Sequence, residues 1–212
     1  MITHPALTFL EAYNRLLAVG ERLSGRNFTA SELTKQIRRQ FPVSEYIFVT
    51  NRDYSVDPDT VIVSGIFDVT EELDYLPSIE VMLSYHPDQK TYFIDLLNWK
   101  QFAFDVAECI GHEMVHKDIC CNQTTASLPY ISKVTDERKR DEQEYLGVED
   151  EIQAYAFSIA AESEVFKKPF TECVMYGVYR ETFDNDNSVI MLLEHHLQTY
   201  LTQLGFLNEQ TD

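Results

Sequence analysis

The stretch FAFDVAECIGHEMVHKDI, residues 102–119, constrains the fold more than any other part of the chain. Ala103, Val106, Ala107, Ile110 and Met114 recur at helical spacing, and Phe104, Gly111 and Val115 extend the apolar surface on the other flank. A helix that is apolar on most sides is a buried one, so a core helix is expected here. It nevertheless carries His112-Glu113-Met114-Val115-His116, and buried polar groups need partners. Each helical residue turns ~100°, so His112 and His116 project within ~40° of one another. Two imidazoles so placed can share one Zn²⁺, with Glu113 beside them as the general base known for this motif. The competing reading is a pair of core histidines hydrogen-bonded to their neighbours.

An open zinc site needs a third protein ligand, leaving a fourth position for water. Glu151 is the best candidate, within EDEIQAYA at 149–156. It lies near the start of a helix on which Ala154 and Ser158 are small enough to let another helix come close. Glu149 is the alternative, but the two acids project ~160° apart on an ideal helix, so only one can face the site. The bland account of Glu151 is a surface acid favoured near a helix N-terminus. Cys120, four residues after His116, offers a different set, His112, His116 and Cys120, with Cys121 closing a structural site; Glu113 would then have no task.

The rest of the chain reads as helices, then strands, then helices, which argues α+β. Residues 5–23 form a helix opened by Pro5, with Leu10, Tyr13, Leu16, Leu17 and Gly20 as its stripe and Gly25 as its stop. Thr29 and Glu32 have capping-box spacing, and Leu33, Ile37 and Phe41 carry a second helix to Pro42. Tyr46–Val49 is a short strand. VIVSGIFDV at 61–69 is apolar on both faces, as in a central strand. Ile79–Tyr85 and Tyr92–Leu96, joined by the turn at 86–90, pair as a β-hairpin in a small, mainly antiparallel sheet. Asn98 can cap the helix bearing the motif. Residues 120–147, with the mixed-charge run TDERKRDEQE, read as a solvated loop or an exposed helical turn, or as a lid over the site. Helices follow from Val148 to about Phe166, from Pro169, and from Val189 to Leu204, the last one with Ser188 able to cap it. A single domain over 1–212 is expected: N-terminal helices at 1–44, a catalytic core at 45–166 and a helical extension at 167–212.

The 212 residues carry 35 Asp+Glu against 17 Lys+Arg, a net charge of −18. Such a surface is repelled by phosphate backbones and anionic membranes, which argues against direct nucleic-acid or membrane binding. No apolar run is long enough for a spanning helix, and MITHPALTFLEAYNRLL has no basic n-region. The cysteines Cys109, Cys120, Cys121 and Cys173 show no disulfide framework. A cytoplasmic setting is the expectation.

HEMVH followed by EDEIQAYA resembles the gluzincins, the thermolysin-like clan of zinc metallopeptidases. That clan has HExxH on one helix and a Glu ligand on a later helix, often with an Ala three residues on, as Ala154 is here. Strands ahead of the HExxH helix are also similar to the minimal gluzincins and other small single-domain peptidases of bacteria and phages, and the resemblance spans roughly residues 45–166. It implies a zincin-like fold, His112, His116 and Glu151 as Zn²⁺ ligands, and Glu113 as general base for hydrolysis of a peptide or protein substrate. The substrate would lie along an edge strand upstream of the metal helix, for which the hairpin at 79–96 is the expected edge. An oxyanion donor is also implied. Tyr155, one turn after Glu151, is the first choice, with Tyr176, Tyr179, His195 and His196 behind it. The sequence departs from thermolysin-like enzymes at Tyr155 itself, where an Asp can orient a ligand histidine. Asp105 and Glu108, on the histidine face of their helix, could substitute. The acidic charge favours one alternative: a non-catalytic binding or inhibitor protein on a peptidase-like scaffold, its metal structural or absent.

Overall fold

The computed structural model describes residues 4–67, 79–122 and 127–209. Its α+β architecture runs, among those residues, α1 (Pro5–Leu23), β1 (Asn27–Phe28), α2 (Ala30–Arg38), β2 (Tyr46–Arg52), β3 (Val61–Phe67), β4 (Ile79–Tyr85), β5 (Tyr92–Phe93) and α3 (Leu96–Asn122). Then come α4 (Glu137–Leu146), α5 (Glu149–Phe166), a 3₁₀ turn (Phe170–Glu172), α6 (Val174–Thr182) and α7 (Asn187–Glu209). The chain groups into two compact units, Thr8–Met114 and Met1–Leu7 with Val115–Asp212. The boundary falls inside α3, within the HEMVH motif.

In the first unit, the apolar stripe of α1 is Phe9, Ala12, Tyr13, Leu16, Val19 and Leu23, all buried; Leu10 and Leu17 sit at its margins. Phe9 meets Phe104 of α3 edge to face, and the Trp99 indole N–H donates to the Leu16 carbonyl at 2.7 Å. The capping box at Thr29 forms: its hydroxyl accepts from Glu32 N–H, and the Glu32 carboxylate accepts from Thr29 N–H. Phe41 lies beyond the end of α2 but still joins the core, against Tyr46 and Phe48.

The sheet differs from the expected one. Its order is β2-β4-β3, with β2 parallel and β3 antiparallel to β4. Ile79–Tyr85 and Tyr92–Phe93 form no hairpin, because β2 and β3 already occupy both edges of β4. β5 pairs instead with β1, Asn27 opposite Phe93. β3 is not central either. Among the described residues it is an edge strand, and Asp68 and Val69 lie outside them. One sheet face is closed: Tyr46, Phe48, Ile79, Val81 and Leu83, in register with one another and with Gly65, are buried or face a helix. The other face leaves Ile62 and Ile66 at 49 % and 60 % exposure. The run in β3 that is apolar on both faces therefore has only one covered face.

In the second unit, α5 packs along α7, with Phe157 edge-on to Tyr200. The mixed-charge run is neither loop nor isolated turn but helix α4, capped by Asp136, whose carboxylate accepts from Lys139 N–H. Its one fully buried polar residue, Gln143, donates from Nε2 to the Thr182 carbonyl and Asn185 Oδ1, and accepts from Ser132 Oγ. Gly147 joins α4 to α5. A methyl there would stand 2.4 Å from the Tyr130 ring and 2.6 Å from the Gln143 carbonyl oxygen, so glycine allows this tight joint. Two expected caps move by a residue or more: Asp95 caps α3 ahead of Asn98, accepting from Leu97 and Asn98 N–H, and Asp186 caps α7 ahead of Ser188. None of the described helices is long and apolar enough to cross a membrane.

Candidate metal centre

α3 is unbroken from Leu96 to Asn122, so His112 and His116 stand one turn apart on one face. The helix is as buried as its composition demands: Ala103, Val106, Ala107, Ile110, Met114 and Val115 are all inaccessible. Both histidines are half-buried. Glu151, in the first turn of α5, is brought to them. One ligand atom from each of His112, His116 and Glu151 lies within 4.8 Å of the other two. His116 Nε2 and Glu151 Oε1 are 3.7 Å apart, with side-chain exposures of 19 % and 17 %. Tetrahedral zinc bonds of ~2.0–2.1 Å set donor atoms about 3.4 Å apart, so this pair is already near bonding separation. The set, two imidazoles and one carboxylate, is that of open three-ligand sites.

The electrostatics suit a cation. Burial pushes the His116 pKa down, against the opposing pull of Asp150, and so favours the neutral imidazole that can ligate. Burial pushes the Glu151 pKa up, opposed by a hydrogen bond from the Tyr145 hydroxyl. Tyr145, at the end of α4, is a site residue that sequence reasoning missed. Only its place six residues before Glu151, across the Gly147 joint, pointed to it.

The other candidates separate cleanly. Glu149 is exposed and outside the cluster, and Cys120 and Cys121 are exposed thiols outside it as well. Asp105 accepts a hydrogen bond from Gln101. Tyr176 donates to Glu194 and Tyr179 to the Leu146 carbonyl, so both hydroxyls are committed elsewhere. His195 stacks edge-on with His196 on α7. Tyr155 is half-buried, its ring 5.9 Å from that of Tyr179.

Glu113 turns to the sheet. It is 8 % exposed, and its Oε2 accepts from the Phe67 N–H of β3 at 2.8 Å. The approach is close because residue 65 is glycine: a methyl there would lie 2.6 Å from Cys109 Sγ and 2.8 Å from Glu113 Cγ. The edge strand and the motif helix are thus locked together at the residue between the two histidines.

Comparison with protein-family models, with curated proteins and with solved structures gave no match. The likeness to gluzincins rests on the motif residues and on the His112, His116 and Glu151 cluster, which can hold a metal ion.

Proposed function

We propose that the protein is a zinc-dependent peptidase in which His112, His116 and Glu151 hold the metal and Glu113 is the general base. The observation that carries this reading is the convergence of Glu151 on the HExxH histidines, from a separate helix and with the donor set of an open site. When bound, a divalent cation there supplies Lewis acidity and acidifies a coordinated water. The protein's own groups do the rest. Glu113, held by the Phe67 N–H, takes the proton of the attacking water and hands it to the leaving amine. β3, an edge strand among the described residues, is the proposed track along which an extended peptide pairs, in place of the expected hairpin. Tyr155 is the proposed oxyanion donor. The cytoplasm is the proposed setting.

The test is elemental analysis of protein purified without a metal-affinity tag, followed by a peptide-library digest. The expected result is about one zinc per chain, lost in Glu151→Ala, with turnover abolished in Glu113→Gln and lowered in Tyr155→Phe. A chain that takes up no zinc even on reconstitution refutes the centre. A metal-loaded chain that cleaves nothing refutes the peptidase and favours the acidic binding protein.

A further inference from the structure

A second site lies within the first unit, away from the histidines. At the start of β3 a cleft of ≈ 330 Å³ is lined by Tyr92, Phe93, Trp99 and Phe102 together with Asp59, Asp95 and Asp105. No lysine or arginine is among its lining residues. Aromatic side chains and carboxylates in one concavity whose lining holds no lysine or arginine form the environment that selects a guanidinium or ammonium group. An independent feature points the same way. Tyr92 is only 7 % exposed, and its hydroxyl has no hydrogen-bond partner among the described residues. Such a buried hydroxyl costs free energy until a hydrogen-bond partner reaches it.

The position suggests what carries the cation. Val61 lines the cleft and begins β3, whose last residue, Phe67, binds Glu113. Six strand steps of ~3.3 Å place the cleft about 20 Å along β3 from Glu113, the proposed general base. We propose that this cleft takes the side chain of an arginine or lysine of a peptide lying along β3, about six residues from the bond to be cleaved. The peptide part rests on the peptidase reading above; the affinity for an organic cation does not.

Trp99 is the chain's single tryptophan and lines the cleft, so its fluorescence reports occupancy directly. The full chain is titrated with arginine amide, with its neutral isostere citrulline amide, and with a blocked pentapeptide Thr-Val-Arg-Val-Thr. The expected result is a saturable change with arginine amide, little with citrulline amide, and binding at least about tenfold tighter for the peptide. Asp59→Asn is a mild variant. It keeps an acceptor for Gln89 and a residue tolerant of the left-handed φ of 67°, and removes only the charge. It and Phe93→Ala, at an exposed position, should each weaken arginine amide roughly three- to tenfold. An equal response to citrulline amide, or no loss in either variant, overturns the cation site. Equal affinity for peptide and arginine amide overturns the peptide assignment and marks the cleft as a free-amine site. Because the readout does not pass through His112, Glu113 or His116, arginine amide binding in a chain that hydrolyses nothing refutes only the peptidase.

Discussion

Gly65→Ala tests the joint that holds Glu113, the proposed general base. Built on the present backbone, the added methyl would stand 2.6 Å from Cys109 Sγ, 2.8 Å from Glu113 Cγ and 3.0 Å from Glu113 Oε1. Carbon contacts relax at ~3.5–4.0 Å, so the overlap is roughly 1 Å against two side chains of one continuous helix. Overpacking of this kind costs about 1–3 kcal/mol. Alanine returns ~0.4–1 kcal/mol by restricting the unfolded chain, since Gly65 is not among the positive-φ glycines. The net loss is about 1–2 kcal/mol, a fall in Tm of roughly 2–8 °C for a chain of this size. Thermal melts followed by circular dichroism read it. The source of the clash is checked by adding Cys109→Ala, which removes the nearest atom. The double variant should be more stable than the sum of the singles by about 1 kcal/mol. A Gly65→Ala protein that melts at or above wild type, or strictly additive losses in the double, refutes the close approach of β3 to α3.

Three other outcomes follow from the same geometry. Gln143→Leu strands the Thr182 carbonyl, Asn185 and Ser132 in the second unit, and should cost about 2–4 kcal/mol in denaturant unfolding; a loss under 1 kcal/mol contradicts the buried network. Tyr145→Phe removes the hydroxyl bonded to the Glu151 carboxylate and should weaken metal affinity about tenfold in a chelator competition, with the melting curve of the apo chain little changed. Thiol labelling at pH 8 should modify Cys120 and Cys121 quickly. Cys109 and Cys173 should stay silent until denaturant is added, because both are buried and burial raises their thiol pKa, that of Cys173 to about 12. Mass spectrometry of the labelled peptides decides it.

How much of this was legible in the sequence follows from the range of each interaction. Local signals read well: Pro5 and the capping box at Thr29 set α1 and α2, and the apolar girdle of residues 102–119 marked α3 as core. Helical geometry lets only one of Glu149 and Glu151 face the site, the small Ala154 and Ser158 beside Glu151 point to it, and it is Glu151 that joins the histidines. Strand pairing did not read, since alternation says which face is apolar and not which neighbour is taken. Nothing local to Ile79–Tyr85 reveals that residues 46–52 and 61–67 claim both its edges. The charged run at 135–144 hid a helix because its anchor is a single amide, Gln143, bonded to residues 182 and 185 some 40 positions away. Gly65 carried no signal until the helix it faces was in place.

The structure also removes one argument for catalysis. A non-catalytic scaffold has no use for Glu113 when only the motif is considered, but the Phe67 N–H and the gap at Gly65 give the carboxylate a structural use. A binding protein would keep it too. The two roles come apart under different substitutions. Glu113→Ala leaves the part-buried Phe67 N–H without its acceptor, which costs about 1–2 kcal/mol whatever the protein does. Glu113→Gln offers an amide oxygen to the same N–H and holds α3 against β3, but it has no basicity with which to accept a proton. Stability should therefore fall in the alanine variant and stay within about 1 kcal/mol of wild type in the glutamine variant. With metal retained in both, turnover lost from the well-folded glutamine variant assigns Glu113 to the chemistry. Turnover that survives there reduces Glu113 to a brace between helix and strand.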